Sequence, residues 1–556
     1  MHLKTDLRHL FELKPMITIN ETNFPDANFR DWVYWLYGKD GVLTEEVIKK
    51  TTFMSVMDKG ISSLKGIEHF TALTTLWCMS NQLTSLDLSN NKKLRELICY
   101  YNCLTELNLT DNTALKVLIC SLNKLKILGL PDSTTLSRLE CSGNQLTALD
   151  VSKNTALTEL YCSENQLTEL KLSDNKALTD LYCSDNQLTA LDVSKNTELK
   201  ILDCGFNQLT ELKLSDNKAL TDLNCKSNKL TDLDLSENRA LEELDCRHNQ
   251  LMALDVSKNM ALTELYCSEN QLTSLDLSNN KKLRELICYY NCLTELNLTD
   301  NTALEVLICS CTKLKILGLP DNTTLSRLEC SGNQLTALDV SKYTALTKLE
   351  CSENQLATLD VSKNIALTEL DCGYNQLTTL DVSKNAELTK LYCYENQLTE
   401  LKLSDNNALT DLYCSDNQLT ALDVSKNTEL KRLDCGFNQL TELKLSDNKA
   451  LTDLNCKSNK LTALDLSENT ALKNLDCSSN QLTTLDLHNN PDIDYIECYL
   501  NQIKGAAMDR LIDSLPQKKQ GMLVICDHAD SAEGNVYTNE QKETAKAKGW
   551  RFSIAI

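Results

Sequence analysis

Apolar positions recur along this chain at fixed offsets inside a unit of 21 residues. The unit opens on Leu-x-x-Leu-x-Cys-x-x-Asn. Leu returns five, eight and often ten residues after the cysteine, as at Leu83, Leu86 and Leu88 behind Cys78. Cysteines stand at Cys78, Cys99, Cys120 and every 21 residues onward to Cys498, with no insertion or deletion. Only Cys103, Cys292, Cys311 and Cys526 lie off this ladder. A fixed period between 20 and 50 residues is the mark of a solenoid. Alternation of apolar and polar positions before each cysteine predicts a strand with one face buried. Successive coils then lie side by side in a parallel sheet about 4.8 Å apart, and neighbours cover leucines that one coil cannot bury alone. The asparagine three residues after the cysteine is present in 20 of 21 coils, with Thr312 the exception. Its amide is expected to bond backbone groups that the bend leaves unpaired, so few glycines are needed. The second half of the unit, LTxLDLSxN, predicts another short extended segment on the opposite side and no long helix.

The ends depart from the period. Residues 1–16 form an extension, and residues 17–60 an N-terminal cap with a helix from Phe24 and a second helix behind Thr44 as N-cap. Trp32 and Trp35 are placed to cover the first coil. The loop holding Asp40 and Gly41 faintly resembles half a calcium hand but has too few carboxylates for the ion. Residues 61–501 hold the repeats. Residues 502–556 predict a C-terminal cap of helix, strand (GMLVIC), helix and final strand (RFSIAI), which closes an otherwise open apolar edge. The array has also been copied within itself. A stretch beginning at Gln82 recurs at Gln271, nine units on, and one beginning at Lys171 nearly recurs at Lys402, eleven units on. In GLPD at Gly129 and Gly318, Pro131 and Pro320 interrupt the usual turn.

LxxLxCxxN is the signature of leucine-rich repeats, and a 21-residue period with cysteine in every coil resembles the internalin-J-like bacterial proteins that carry a cysteine ladder. The stretch from Gly60 to Cys78 looks like the first coil of such a protein joining its cap. The resemblance covers roughly residues 61 to 505. It implies a leucine-rich-repeat solenoid: a right-handed parallel-sheet superhelix of about 21 coils, with an α-helical N-cap and a small α/β C-cap. It further implies no catalysis, recognition of a protein or glycan on the concave sheet face, and a secreted or bacterial-surface location tied to adhesion or virulence. Residues 1–16 carry charges throughout and no apolar core of a signal peptide, and no anchor or sorting segment is visible. The expectation for location is therefore the surface by resemblance, with a cytosolic interaction scaffold as the alternative.

Composition narrows the chemistry. A net charge of -22 lacks the basic footprint of nucleic-acid binding. No apolar run reaches the length of a membrane span. Fifteen glycines and six prolines in 556 residues exclude collagen-like and low-complexity chains. The ladder cysteines read as inward, reduced thiols that behave as small apolar groups. A disulfide ladder is the rival, but parallel neighbours keep their Cβ atoms apart. Metal ligation is the third reading, and one linear file does not supply tetrahedral sets. No cofactor or metal is expected, and six scattered histidines offer no catalytic arrangement. The run Cys526-Asp-His528 sets such groups side by side, but strand neighbours face opposite ways.

Candidate binding residues come from comparing coils with one another. Twelve of 17 tyrosines fall one before, one after or two after a ladder cysteine. The candidate face comprises Trp77, Tyr100, Tyr101, Tyr161, Tyr182, Phe206, Tyr266, Tyr289, Tyr290, Tyr374, Tyr392, Tyr394, Tyr413 and Phe437. Tyrosine joins a large contact area to a polar tip and is enriched at interfaces. Lateral stacking between neighbouring strands is the competing reading. Acidic residues on the same face, such as Glu164, Asp185, Asp203, Asp245, Glu269 and Glu353, favour a basic or polar partner, with plain solubility as the competing reading. Cys103 and its copy Cys292, one past the ladder asparagine, are expected to be exposed, and Cys311 with Thr312 breaks its coil; an exposed-thiol role is one reading of these irregularities and drift in a duplicated array the other.

Overall fold

A computed structural model describes residues 16–38, 40–527 and 530–554. Residues 1–15, which make up nearly all of the expected extension, lie outside the described residues, as does His528. The chain divides into two compact units between Asn280 and Lys281. Its coils wind as a right-handed leucine-rich-repeat solenoid. By their ladder cysteines, ten coils belong to the first unit and eleven to the second.

In each coil the strand is the three residues before the cysteine. The first unit runs from Phe53–Ser55 and Thr75–Trp77 to Glu264–Tyr266, each strand parallel to the next and shifted by one repeat, so that Leu76 faces Leu97 and Leu160 faces Leu181. The second runs from Glu285–Ile287 to Tyr495–Glu497 on the same register, Leu286 facing Leu307. This register stacks like on like. Leu73, Leu76, Leu83 and Leu88 are fully buried and Leu86 nearly so. Each contributes about 1.5–3 kcal/mol by burial. The ladder cysteines are buried reduced thiols. Desolvation raises the thiol pKa of Cys99 and Cys162 to about 12.

Two asparagine files run beside the cysteines. Asn165 Nδ2 donates to the carbonyls of Cys162 and Ser163 in its own coil and of Cys141 in the coil before. Its Oδ1 accepts from Leu146 N at 3.0 Å. One buried amide thus ties two bends together, as the sequence pattern anticipates. A second file, ten residues on, does related work: Asn175 Nδ2 donates to the carbonyls of Val151 and Asn154, one coil back.

The opposite side of the coil differs from expectation. The second segment pairs as a sheet in only two places among the described residues, Glu106–Asn108 with Ile127–Gly129 and its copy Glu295–Asn297 with Ile316–Gly318. Both pairs involve a GLPD coil. At Gly129 a Cβ would lie 3.0 Å from Asn108 Oδ1, so glycine allows the close approach that pairing needs.

At the N-terminal end, helix α1 (Ala27–Tyr37) is capped by Asp26 and α2 (Glu45–Lys50) by Thr44. The residues that bury are Phe24, Phe29 and Val33. Trp35, expected to cover the first coil, is 80% exposed, and Trp32 is half-buried. Phe29 and Val33, four residues apart, define the inner face of α1, and Trp35 falls outside that stripe. At the C-terminal end, α3 (Ala506–Ser514), strand Gly521–Cys526, α4 (Asn539–Ala547) and strand Trp550–Ile554 follow in the expected order. Both strands extend the parallel sheet, Ile496 facing Leu523 and Leu523 facing Phe552.

A candidate binding face on the strands

Strand residues one and three before each cysteine, with the two that follow it, point away from the leucine core. The residue two after the cysteine is distinctive. In all 21 coils it has positive φ, at +48° to +58° for the 19 that are not glycine. Only Gly143 and Gly332 use the residue suited to it. Five coils place a bulky aromatic there: Tyr101, Phe206, Tyr290, Tyr374 and Phe437, each 45–60% exposed. A left-handed conformation costs a residue bearing a Cβ about 1–2 kcal/mol. Sequence reasoning picked these five as candidates but missed their backbone state. The two glycines at that offset were the available signal.

The candidates divide into two sets. Those one before the cysteine are half-buried and several stack between coils. Tyr161 and Tyr182 lie parallel with ring centroids 4.6 Å apart, and Tyr392 and Tyr413 lie 5.1 Å apart. Trp77 meets Phe53 edge-on at 5.1 Å and donates to Glu96. Tyr266 donates to Glu264 at 2.6 Å. Those after the cysteine project outward, though some touch: Tyr100 with Tyr101, Tyr289 with Tyr290 and Tyr374 with Tyr394 are edge-on pairs at 5.3–5.7 Å. Cationic side chains also sit over this face. Arg138 lies over Tyr161 at 5.5 Å, Lys226 over Phe206 at 5.4 Å, Arg247 over Tyr266 at 5.2 Å and Lys457 over Phe437 at 5.2 Å.

Charge is concentrated here. Over the four outward offsets the first unit carries twelve carboxylates against three Lys or Arg, and the second thirteen against five. The rest of the chain is nearly balanced, with 53 acidic against 48 basic residues. Solubility alone gives no reason to collect charge on one face. Asp203, Asp371 and Asp434 have raised pKa values, with desolvation as the main cause. Among the described residues no cluster of three or more His, Cys, Asp or Glu could hold a metal ion, and no helix is long and apolar enough to cross a membrane.

Comparison with solved structures gives the following. The functional domain of InlJ from Listeria monocytogenes, which includes a cysteine ladder, is 35% identical; the match covers 72% of this chain and 82% of that one, with a TM-score of 0.55. The plant peptide hormone receptor RGFR1, solved in complex with RGF2, is 21% identical over 88% of each chain, with a TM-score of 0.69. YopM from Yersinia enterocolitica is 22% identical, over 86% of this chain and 92% of that one, with a TM-score of 0.52. The last two likenesses are of fold. No family model matches the chain, and no curated protein matches it.

Proposed function

This chain belongs to the leucine-rich-repeat proteins that carry a cysteine ladder, and from that premise we propose that it is an internalin-J-like, non-enzymatic recognition module of a bacterial surface, binding a protein or glycan through its strand face. A solenoid of this kind is a protein-binding scaffold in general terms. The narrower reading rests on one observation. Tyr101, Phe206, Tyr290, Tyr374 and Phe437 hold exposed aromatic rings in a backbone conformation that glycine would adopt without cost. Every coil takes this conformation, so the fold imposes it; what these five coils add is a large exposed ring where glycine would cost nothing, and an exposed aromatic suits contact with a partner.

The test presents the full chain to an array of surface proteins and glycans beside a variant with all five positions changed to glycine. The expected result is retention of the native chain and at least a tenfold loss by the variant, with no fall in its melting temperature. Equal retention by both would remove the strand face from recognition. Location is tested by protease treatment of intact producing cells, followed by antibody to the repeats. Loss of the signal is expected; protection until lysis would contradict a surface location.

A further inference from the structure

The near-copies that begin at Lys171 and Lys402 place the same hollow once in each unit, 231 residues apart in sequence. In the first unit it measures about 320 Å³, walled by Tyr182 and Tyr266 and floored by Leu202 and Leu223. In the second it measures about 230 Å³, between Tyr413 and Tyr495 over Leu433 and Leu454. Asp203 and Asp222 line the first, and their counterparts Asp434 and Asp453 line the second.

The second walls are not equivalent, since Tyr266 corresponds to Glu497 and Tyr495 to Glu264; two further lining differences change charge. Ile201 stands where the second copy has Arg432, and Glu243 where it has Asn474. In the second copy Arg432 donates to Asp411 at 3.0 Å, and Asn474 donates to Asp453 at 2.6 Å. The amide thus reaches a lining carboxylate, whereas the Arg432 guanidinium lines the hollow and pairs with Asp411 on the strand before it. In the first copy neither donor exists, and Glu243 adds a like charge; burial first, then the neighbouring Glu264 and Asp222, raises its pKa. Arg247, whose counterpart is Ser478, is held by Asp245 through contacts of 2.9 and 2.6 Å. With Arg247 counted, the first hollow is still the more negative.

We propose that the hollow of the first unit, between Tyr182 and Tyr266, takes an arginine or lysine side chain from a basic, extended segment of the partner, and that Arg432, in the lining of the second hollow, supplies that positive charge from within. This rests on the strand face being the recognition face, and it names the partner's chemistry: a basic polypeptide. The acid excess of the face attracts such a segment. Aromatic walls above carboxylates suit a guanidinium or ammonium. The second copy places a guanidinium of the chain itself, Arg432, in the lining of its hollow.

The experiment titrates the full chain into a fluorescent peptide of alternating arginine and serine, reading anisotropy, with a glutamate–serine peptide of equal length as control. The expected result is one arginine peptide per chain, weakened by salt, and none of the control. Ile201→Arg should weaken binding at least tenfold, and Arg432→Ile should raise the stoichiometry to two. An unchanged affinity in Ile201→Arg, a stoichiometry that stays at one in Arg432→Ile, or no binding of the arginine peptide would each overturn the proposal. Ile201→Leu, which adds no charge, separates misfolding from blockage and should bind as the native chain does. If the arginine peptide fails while the five-glycine variant still loses its array partner, this proposal alone is wrong. If the five-glycine variant also keeps its array partner, the recognition face itself is wrong.

Discussion

At the scale of single residues, the ladder asparagine does most to shape the coil, and Thr312 shows what its loss does. The threonine hydroxyl still reaches the Cys309 carbonyl at 2.9 Å, but a hydroxyl has one proton where the amide has two. Lys313 beside it takes φ +68°, so two residues, Cys311 and Lys313 flanking Thr312, are left-handed where other coils have one. Restoring the amide with Thr312→Asn should raise the melting temperature, and Asn165→Ala should lower stability by about 3 kcal/mol through the buried groups it leaves unpaired; differential scanning calorimetry checks both. Asp203 behaves in the opposite sense. Its pKa is raised by desolvation, against the opposing effects of Gly205 N, the Ser184 hydroxyl and Lys226, and with Asp185 adding to the rise. An acid whose folded pKa is raised destabilises the fold when ionised, so its contribution to stability is present at low pH and is lost as pH rises through the folded value. Asp203→Asn should therefore raise the melting temperature at neutral pH while weakening arginine-peptide binding. In the native chain that binding should fall on acidification at a pH above 3.8, the ordinary aspartate value. A melting temperature that drops in Asp203→Asn would contradict the burial account.

At the scale of elements, strands of three residues hold only because their neighbours repeat them. The stacked pair Tyr161 and Tyr182 belongs to this lateral packing. Parallel rings on adjacent strands are worth about 0.5–1.5 kcal/mol beyond their buried area, so Tyr161→Ala should lower the thermal midpoint and Tyr182→Ala should then lower it little further, a coupling that a double-mutant cycle measures. Coil, strand and cap order were legible in the sequence because a period of 21 leaves little freedom: leucine spacing sets the strand, and asparagine spacing sets the bend. The opposite side was not legible. LTxLDLSxN reads as an extended segment in every coil, yet pairing also requires close backbone approach, which the GLPD coils gain at Gly129 and Gly318. The cap tryptophans were misread for a similar reason. Size suggested that Trp35 would bury, whereas the four-residue spacing of Phe29 and Val33 had already fixed the inner face.

At the scale of the whole molecule, the chain separates three chemistries. Its interior is leucine and thiol, its strand face is acidic and aromatic, and the remainder is nearly neutral. The face was partly legible: the tyrosines and several of its acids stand out by comparison among coils, but the conformation of the five projecting aromatics and the hollows that the copied coils form appear only in three dimensions. Thiol burial makes its own prediction. Ladder thiols with raised pKa values are shielded from modification, and Cys103, Cys292 and Cys311 are the half-buried exceptions. A thiol reagent should modify three cysteines in the native protein and all 25 after denaturation. Modification of ladder cysteines at the native rate of these three would show that the coils open.

The most direct test of the account is the melting temperature of the variant in which Tyr101, Phe206, Tyr290, Tyr374 and Phe437 are all glycine, measured by calorimetry beside the native chain. If these rings are kept in left-handed backbone for a partner, their removal relieves strain and the melting temperature stays level or rises. A clear fall would show that the rings hold neighbouring coils together, and the strand face would then be a structural surface.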